Sequence, residues 1–264
     1  MTEFDTITLT HDEGIARLTL NRPEANNAMS MLFFEEFGRA VGEIAGLGSK
    51  VRAVLISSTG RFFSVGGDIS LFGANVDELP PLILQGTYLM HPALARLSRI
   101  DAPVIAAVQG TAMGGAVAVL STCDLIVSAR SAKFGAAYSQ IGLSLDLGAS
   151  FGLASRMGIS RARRFLLLGE VLSAEDAQSA GLVDEVVDDA GLVEAADALA
   201  RKLSQGPTRA YGEVRRLLAR ALANPFESQL EDEAQALARG GATADAREGI
   251  TAFLEKRSAV FRGE

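Results

Sequence analysis

The chain has 264 residues, 48% hydrophobic and 22% charged, which is enough for a full globular core. Acidic residues number 32 against 25 basic ones, and the net charge of −7 argues against nucleic acid or an anionic membrane surface as a partner. A single cysteine, Cys123, excludes an internal disulfide, and two histidines, His11 and His91, give no basis for a histidine metal site.

No apolar run approaches the roughly 20 residues needed to span a bilayer. The acidic N-terminus MTEFDTITL lacks the basic, then apolar pattern of a signal peptide. Together with the cysteine usage, this makes a cytoplasmic location the expectation.

Thr6 to Leu9 and Ile15 to Leu20 read as strands, with His11 to Gly14 as the turn between them. A polar loop, Asn21 to Asn27, leads into an amphipathic helix over Met29 to Leu47, with Leu32, Phe33, Phe37, Ala40, Val41 and Ile44 near helical spacing. Val51 to Ser57 reads as a strand, and the stretch that follows it, Arg61 to Leu71, carries the glycine pair Gly66–Gly67 followed by Asp68. Gly73 to Gln85 has no clear period, and its Pro80–Pro81 pair reads as a helix breaker, so this segment is either a lid or an ordinary surface loop. A helix is expected over Gly86 to Ile100, with His91 within it as a packed or surface residue.

Val104 to Gln109 reads as a buried strand, and Gly110, Gly114 and Gly115 turn the chain into an apolar helix, Ala116 to Ser121. Glycines at such a turn either free backbone N–H groups for a ligand or let the helix pack closely on a neighbour. Two strand ends with glycine corners are the raw material of an oxyanion hole. Strands follow at Asp124 to Ser128 and Gly181 to Val187, a turn and short strand at Ala129 to Phe134, and helices at Arg161 to Leu168 and Ser173 to Ala180, with Ser173 and Asp176 as a capping box. From Asp189 the pattern is helical, with Asn224 as the N-cap and Pro225 as the first residue of one helix. The expected organisation is an α/β core over residues 1–188 and a helical region over 189–264.

NRPEANNAM (21–29), FFSVGGDI (62–69), AVQGTAMGGAVAVLSTCD (107–124), AKFGAAYSQIGL (132–143) and REGITAFLEKR (247–257) stand in one order along nearly the whole chain. In these pieces the sequence resembles the crotonase (enoyl-CoA hydratase/isomerase) family. The resemblance implies a spiral of ββα units, with C-terminal helices that build a homotrimer or a dimer of trimers. It implies acyl-CoA as the substrate, coenzyme A entering only as part of the thioester and no bound cofactor. The implied oxyanion donors are the N–H groups of Gly67 and Gly115. Ala25 and Asn26 would lie beside coenzyme A and Val65, Asp68 and Tyr138 in the substrate site, while Phe253 and Lys256 would cover its adenine and phosphate end, in the same or a neighbouring subunit.

The chain departs from the family's hydratases at both of their glutamates. The position three residues beyond Gly115 is Ala118, and that four beyond Phe134 is Tyr138. Neither a methyl group nor a phenol with an ordinary pKa of about 10 activates water near neutrality. Eight residues beyond Tyr138 stands Asp146, where some isomerases of the family carry an aspartate. A single base there would take a proton from C2 of a 3-enoyl-CoA and return it at C4, and Leu143, Leu145 and Leu147 would shield it from water. The local alternative for Asp146 is the N-cap of a helix over Gly148 to Met157. Other readings of the whole chain are decarboxylation, thioester hydrolysis, or a non-catalytic acyl-CoA-binding subunit. Gly148 to Gly152 also matches the GxSxG nucleophile elbow around Ser150, but no histidine follows it in the chain.

Overall fold

The structure is a computed structural model and describes residues 3–264. The strands are β1 (Ile7–Asp12), β2 (Ile15–Leu20), β3 (Ala53–Ser58), β4 (Val104–Val108), β5 (Thr111–Met113), β6 (Leu125–Ala129), β7 (Lys133–Gly135), β8 (Val171–Ser173) and β9 (Glu185–Val187). The α-helices are α1 (Met31–Gly46), α2 (Ile69–Ala74), α3 (Leu79–Leu97), α4 (Gly115–Ser121), α5 (Ala149–Met157), α6 (Ile159–Leu168), α7 (Ala174–Ser179), α8 (Leu192–Ser204), α9 (Thr208–Arg220), α10 (Phe226–Gly241) and α11 (Ala244–Glu255).

Six strands form one sheet in the order β1-β2-β3-β4-β6-β9, parallel except for the β1-β2 hairpin. A smaller sheet, β5-β7-β8, stands apart from it. Strand alternation divides the apolar residues between two layers. Val54, Ile56, Val104 and Ala106 face the layer that holds Phe33 and Phe37 of α1 and Met90 of α3. Ala53, Leu55, Ile105 and Ala107 face Leu192, Ala196 and Ala200 of α8. Burial on both faces is why β3 and β4 read as unbroken apolar runs.

Four local expectations are corrected. His11 belongs to β1, paired with Ala16, and not to the turn. Residues 73–85 are no loop: they hold the end of α2, a 3₁₀ turn (Val76–Glu78) and the start of α3. Pro80 and Pro81 lie in the first turn of α3, where an N–H would lack an intrahelical acceptor anyway, so they start this helix and do not break one. Asn224 is not a cap: its N–H donates to Arg220 O at the end of α9, its side chain to Gln229 and Asp232, and Pro225 takes the N-cap position of α10. The Ser173 cap is as expected on one side. Its Oγ accepts from Asp176 N at 3.0 Å, but the short Asp176 side chain accepts from Ser173 Oγ and not from its backbone N–H.

Arg215 fastens α9 to the chain just before the interior strands β4 and β6. Its side chain is 9% exposed, and it donates to the Asp124 carboxylate and to the carbonyls of Leu97, Ile100 and Ala102. Asp124 also accepts from Val104 N at 2.7 Å, the first residue of β4. Arg215→Ala strands a part-buried carboxylate and three carbonyls, and is expected to destabilise the fold by about 3 kcal/mol. The readout is a lowered urea midpoint at fixed protein concentration.

Candidate functional site

The site is assembled from three chain segments that meet at the start of α4. The first is residues 21–30. Asn27, buried and at φ 53°, accepts from Arg22 N through Oδ1 (2.8 Å) and donates to Thr59 O (2.9 Å) and Phe62 O (3.0 Å). This locks the first segment onto the second, residues 59–68. Ser64, fully buried, donates to Asn27 O at 2.7 Å and accepts from Gly66 N at 3.1 Å. Short bridges Met29↔Gly67 and Ser64↔Ala112 then align the second segment between the first and β5.

Gly66 sits at φ +84°, and a Cβ there would fall 2.6 Å from Met113 O and 3.1 Å from Gly115 N. The corner is therefore pressed directly onto the start of α4. It brings Gly67 N within 3.9 Å of where a side chain on Gly115 would begin. Neither the Gly67 nor the Gly115 N–H donates to a protein acceptor among the described residues. Leu147 Cδ1 (3.4 Å) and Met29 Sδ (3.5 Å) flank the same point, so the two donors lie beside an apolar wall.

The third segment carries the carboxylate. A 3₁₀ turn, Tyr138–Ile141, follows β7, and Tyr138 OH donates to Asp146 Oδ1 at 2.6 Å. Burial first, then the Asp146 charge, pushes the Tyr138 phenol far above its ordinary pKa, so it stays a donor. Asp146 Oδ2 has no protein donor among the described residues. Asp146 is not the cap of α5: Gly148 holds that position, and the Asp146 side chain is turned to Tyr138. The next residue, Leu147, is buried at φ +49°, and its N–H donates to His91 Nε2 on α3 at 3.3 Å.

The other predicted residues fall in two groups. Ala25, half-buried, and Asn26, exposed at φ 53°, form the 3₁₀ turn of the first segment, and Asn26 O accepts from Val65 N. Val65 is exposed at 36%. Asp68 caps α2 through Ser70 N and lies 3.7 Å from Arg22. The Ser70 hydroxyl is the largest cause of holding its carboxyl below the usual range. Phe253, 83% exposed, and Lys256 are on or just past α11, and no described hydrogen bond joins either to the three segments. Ala118 is fully buried in α4. Ser150 is exposed on α5, whose Gly152 packs against the Ser121 backbone, and this accounts for that glycine without a nucleophile elbow.

Sequence reasoning missed Asn27, Ser64 and Met29 as builders of the glycine corner, and His91 as a partner of the Asp146 segment. The first three stand inside quoted motifs, but only the folded contacts reveal their work.

A family profile described as enoyl-CoA hydratase/isomerase matches residues 10–264. The chain belongs to the enoyl-CoA hydratase/isomerase family. It is 35% identical over 256 residues to the 1,2-epoxyphenylacetyl-CoA isomerase of Escherichia coli K12, covering 96% of this chain and 97% of that one. It is 31% identical to the 2,3-dehydroadipyl-CoA hydratase of the same organism, at 97% and 98% coverage. Among solved structures, a candidate enoyl-CoA hydratase/isomerase from Mycobacterium abscessus superposes with a TM-score of 0.92 at 34% identity, covering 98% of this chain and all of that one. The fold is thus the crotonase fold, and crotonase-family enzymes act on coenzyme A thioesters. Relatives named as isomerases and as hydratases both stand close to this chain.

Proposed function

We propose that this crotonase-family chain moves the double bond of an enoyl-CoA from the 3,4 to the 2,3 position, with Asp146 as the one base. The observation that carries the reading is a carboxylate with one oxygen tied to Tyr138 OH and the other without a protein donor, one residue before the Leu147 that flanks Gly115. The thioester oxygen accepts from Gly67 and Gly115 N–H. Asp146 Oδ2 removes a C2 proton, and the charge moves onto the thioester oxygen as a dienolate. The same carboxyl group then returns the proton to C4, leaving the conjugated 2-enoyl-CoA. Two backbone donors suit this chemistry because each is worth about 10²–10³ in rate where charge develops.

Ala118 and Tyr138 weigh against hydration, since neither activates a water. The isomerase names among the relatives point the same way, and the hydratase names define the alternative. Ala25, Asn26, Val65 and Asp68 are proposed to line the coenzyme A path. Phe253 and Lys256 are proposed to reach it from a neighbouring subunit of a trimer or a dimer of trimers. Exposed Leu218, Phe226, Leu237, Ile250 and Leu254 on the C-terminal helices, with Leu222 in the turn between α9 and α10, are apolar surface of the kind such an assembly covers.

A paired assay tests the proposal. Purified protein is given a 3-enoyl-CoA, followed by the rise of conjugated thioester absorbance, and separately crotonyl-CoA, followed by its loss. Isomerisation with little hydration is expected; rapid hydration with no isomerisation would overturn the reading.

Tyr138→Phe removes the tether while keeping the ring. It is expected to lower kcat by about tenfold with KM nearly unchanged, because the carboxylate loses its fixed orientation. Since the phenol is pushed up, no decline in wild-type rate from its ionisation is expected up to about pH 10. Steady-state kinetics across pH read both effects.

A further inference from the structure

We infer that His91 is a positioning residue: its imidazole holds the Leu147 N–H and so fixes both the base and one wall of the oxyanion hole. The inference rests on the reading of Asp146 given above. Leu147 occupies left-handed backbone space, which is strained for a residue with a side chain. Such a conformation persists only where its surroundings hold it. Two contacts do so here. The Leu147 side chain is buried against the start of α4, 3.4 Å from the Cβ direction of Gly115. Its N–H is accepted by His91 Nε2, 56 residues away in sequence. Without that acceptor a donor beside a buried side chain loses its partner, and the backbone turn that presents Asp146 is free to relax.

α3 is a suitable mount. It runs for 19 residues, and Met90, Ala93 and Leu94 beside His91 are buried in the core, while His91 itself is exposed. The core therefore does not need the imidazole, which leaves the Leu147 contact as its described role. Accepting at Nε2 requires the neutral ring with its proton on Nδ1.

Three variants separate this role from a merely structural one. His91→Gln keeps an acceptor at similar reach, His91→Lys offers only donors, and His91→Ala offers nothing. The first readout is hydrogen–deuterium exchange of a peptide spanning Leu147, on the protein without substrate. The second is kcat and KM for the double-bond shift. His91→Ala and His91→Lys are expected to speed exchange at Leu147 about tenfold and to lower kcat about tenfold with KM within about twofold, while His91→Gln stays within about threefold of wild type in both. The unfolding midpoint should be unchanged in all three. Exchange at Leu147 that is the same in every variant, or a glutamine variant as impaired as the alanine one, would overturn the inference. The exchange arm needs no turnover, so a wild-type protein that fails to shift the double bond would count against the Asp146 reading and leave the His91 result to stand by itself.

Discussion

Asp146→Asn is expected to lower kcat for the double-bond shift by about 10⁴ while KM changes by no more than about threefold. The substitution is close to isosteric, and the amide oxygen still accepts from Tyr138 OH, so the 2.6 Å tether is kept. What is lost is the basic oxygen proposed to take the C2 proton. The Gly67 and Gly115 donors and the proposed coenzyme A path are untouched, so binding survives. Stopped-flow absorbance at saturating 3-enoyl-CoA, with a binding titration alongside, separates these effects. A variant that keeps more than about a tenth of wild-type kcat would remove Asp146 from the reaction.

Gly66→Ala is the second large effect. It places a Cβ 2.6 Å from the Met113 carbonyl and 3.1 Å from Gly115 N, at a φ of +84° that favours glycine. Neither neighbour is a flexible side chain. The corner must open, and the proposed pairing of the Gly67 and Gly115 N–H groups on one oxygen is lost. A loss of about 10²–10³ in kcat is expected, with destabilisation of about 2 kcal/mol from strain and overpacking. Gly67→Ala is the contrast. Its Cβ would meet the Phe72 ring at 3.6 Å, an ordinary contact, and its N–H is retained. The loss there should be smaller than at Gly66, although Gly67 is itself a proposed donor. Kinetics and urea midpoints for the two variants give the order directly; a reversed order would mean that the corner is not held by backbone contact.

The parts of the fold that were legible in the sequence are those whose burial is uniform. β3 and β4 are apolar on both faces and α1 has one clear stripe, so composition and period located them to within two residues. β5 and β8 have three residues each, too few to show an alternation. The start of α3 was misread because a proline pair breaks a helix interior but suits a first turn, and sequence alone did not say which position it held. In the site, the glycine corners were visible as motifs. The Tyr138–Asp146 bond was not, because a short 3₁₀ turn and the irregular backbone after it have no period that predicts what meets what. The His91–Leu147 contact depends on α3 crossing a distant loop, and nothing local encodes it.

In the proposed reaction one carboxylate performs both proton transfers. The most direct measurement uses 3-enoyl-CoA deuterated at C2, excess protein and a single turnover in ordinary water, with the product analysed by mass spectrometry and NMR. Transfer of part of the label to C4, absent with Asp146→Asn, is the predicted result. Product formed at full rate with no label at C4 would mean that different groups remove and return the proton, and would contradict the account.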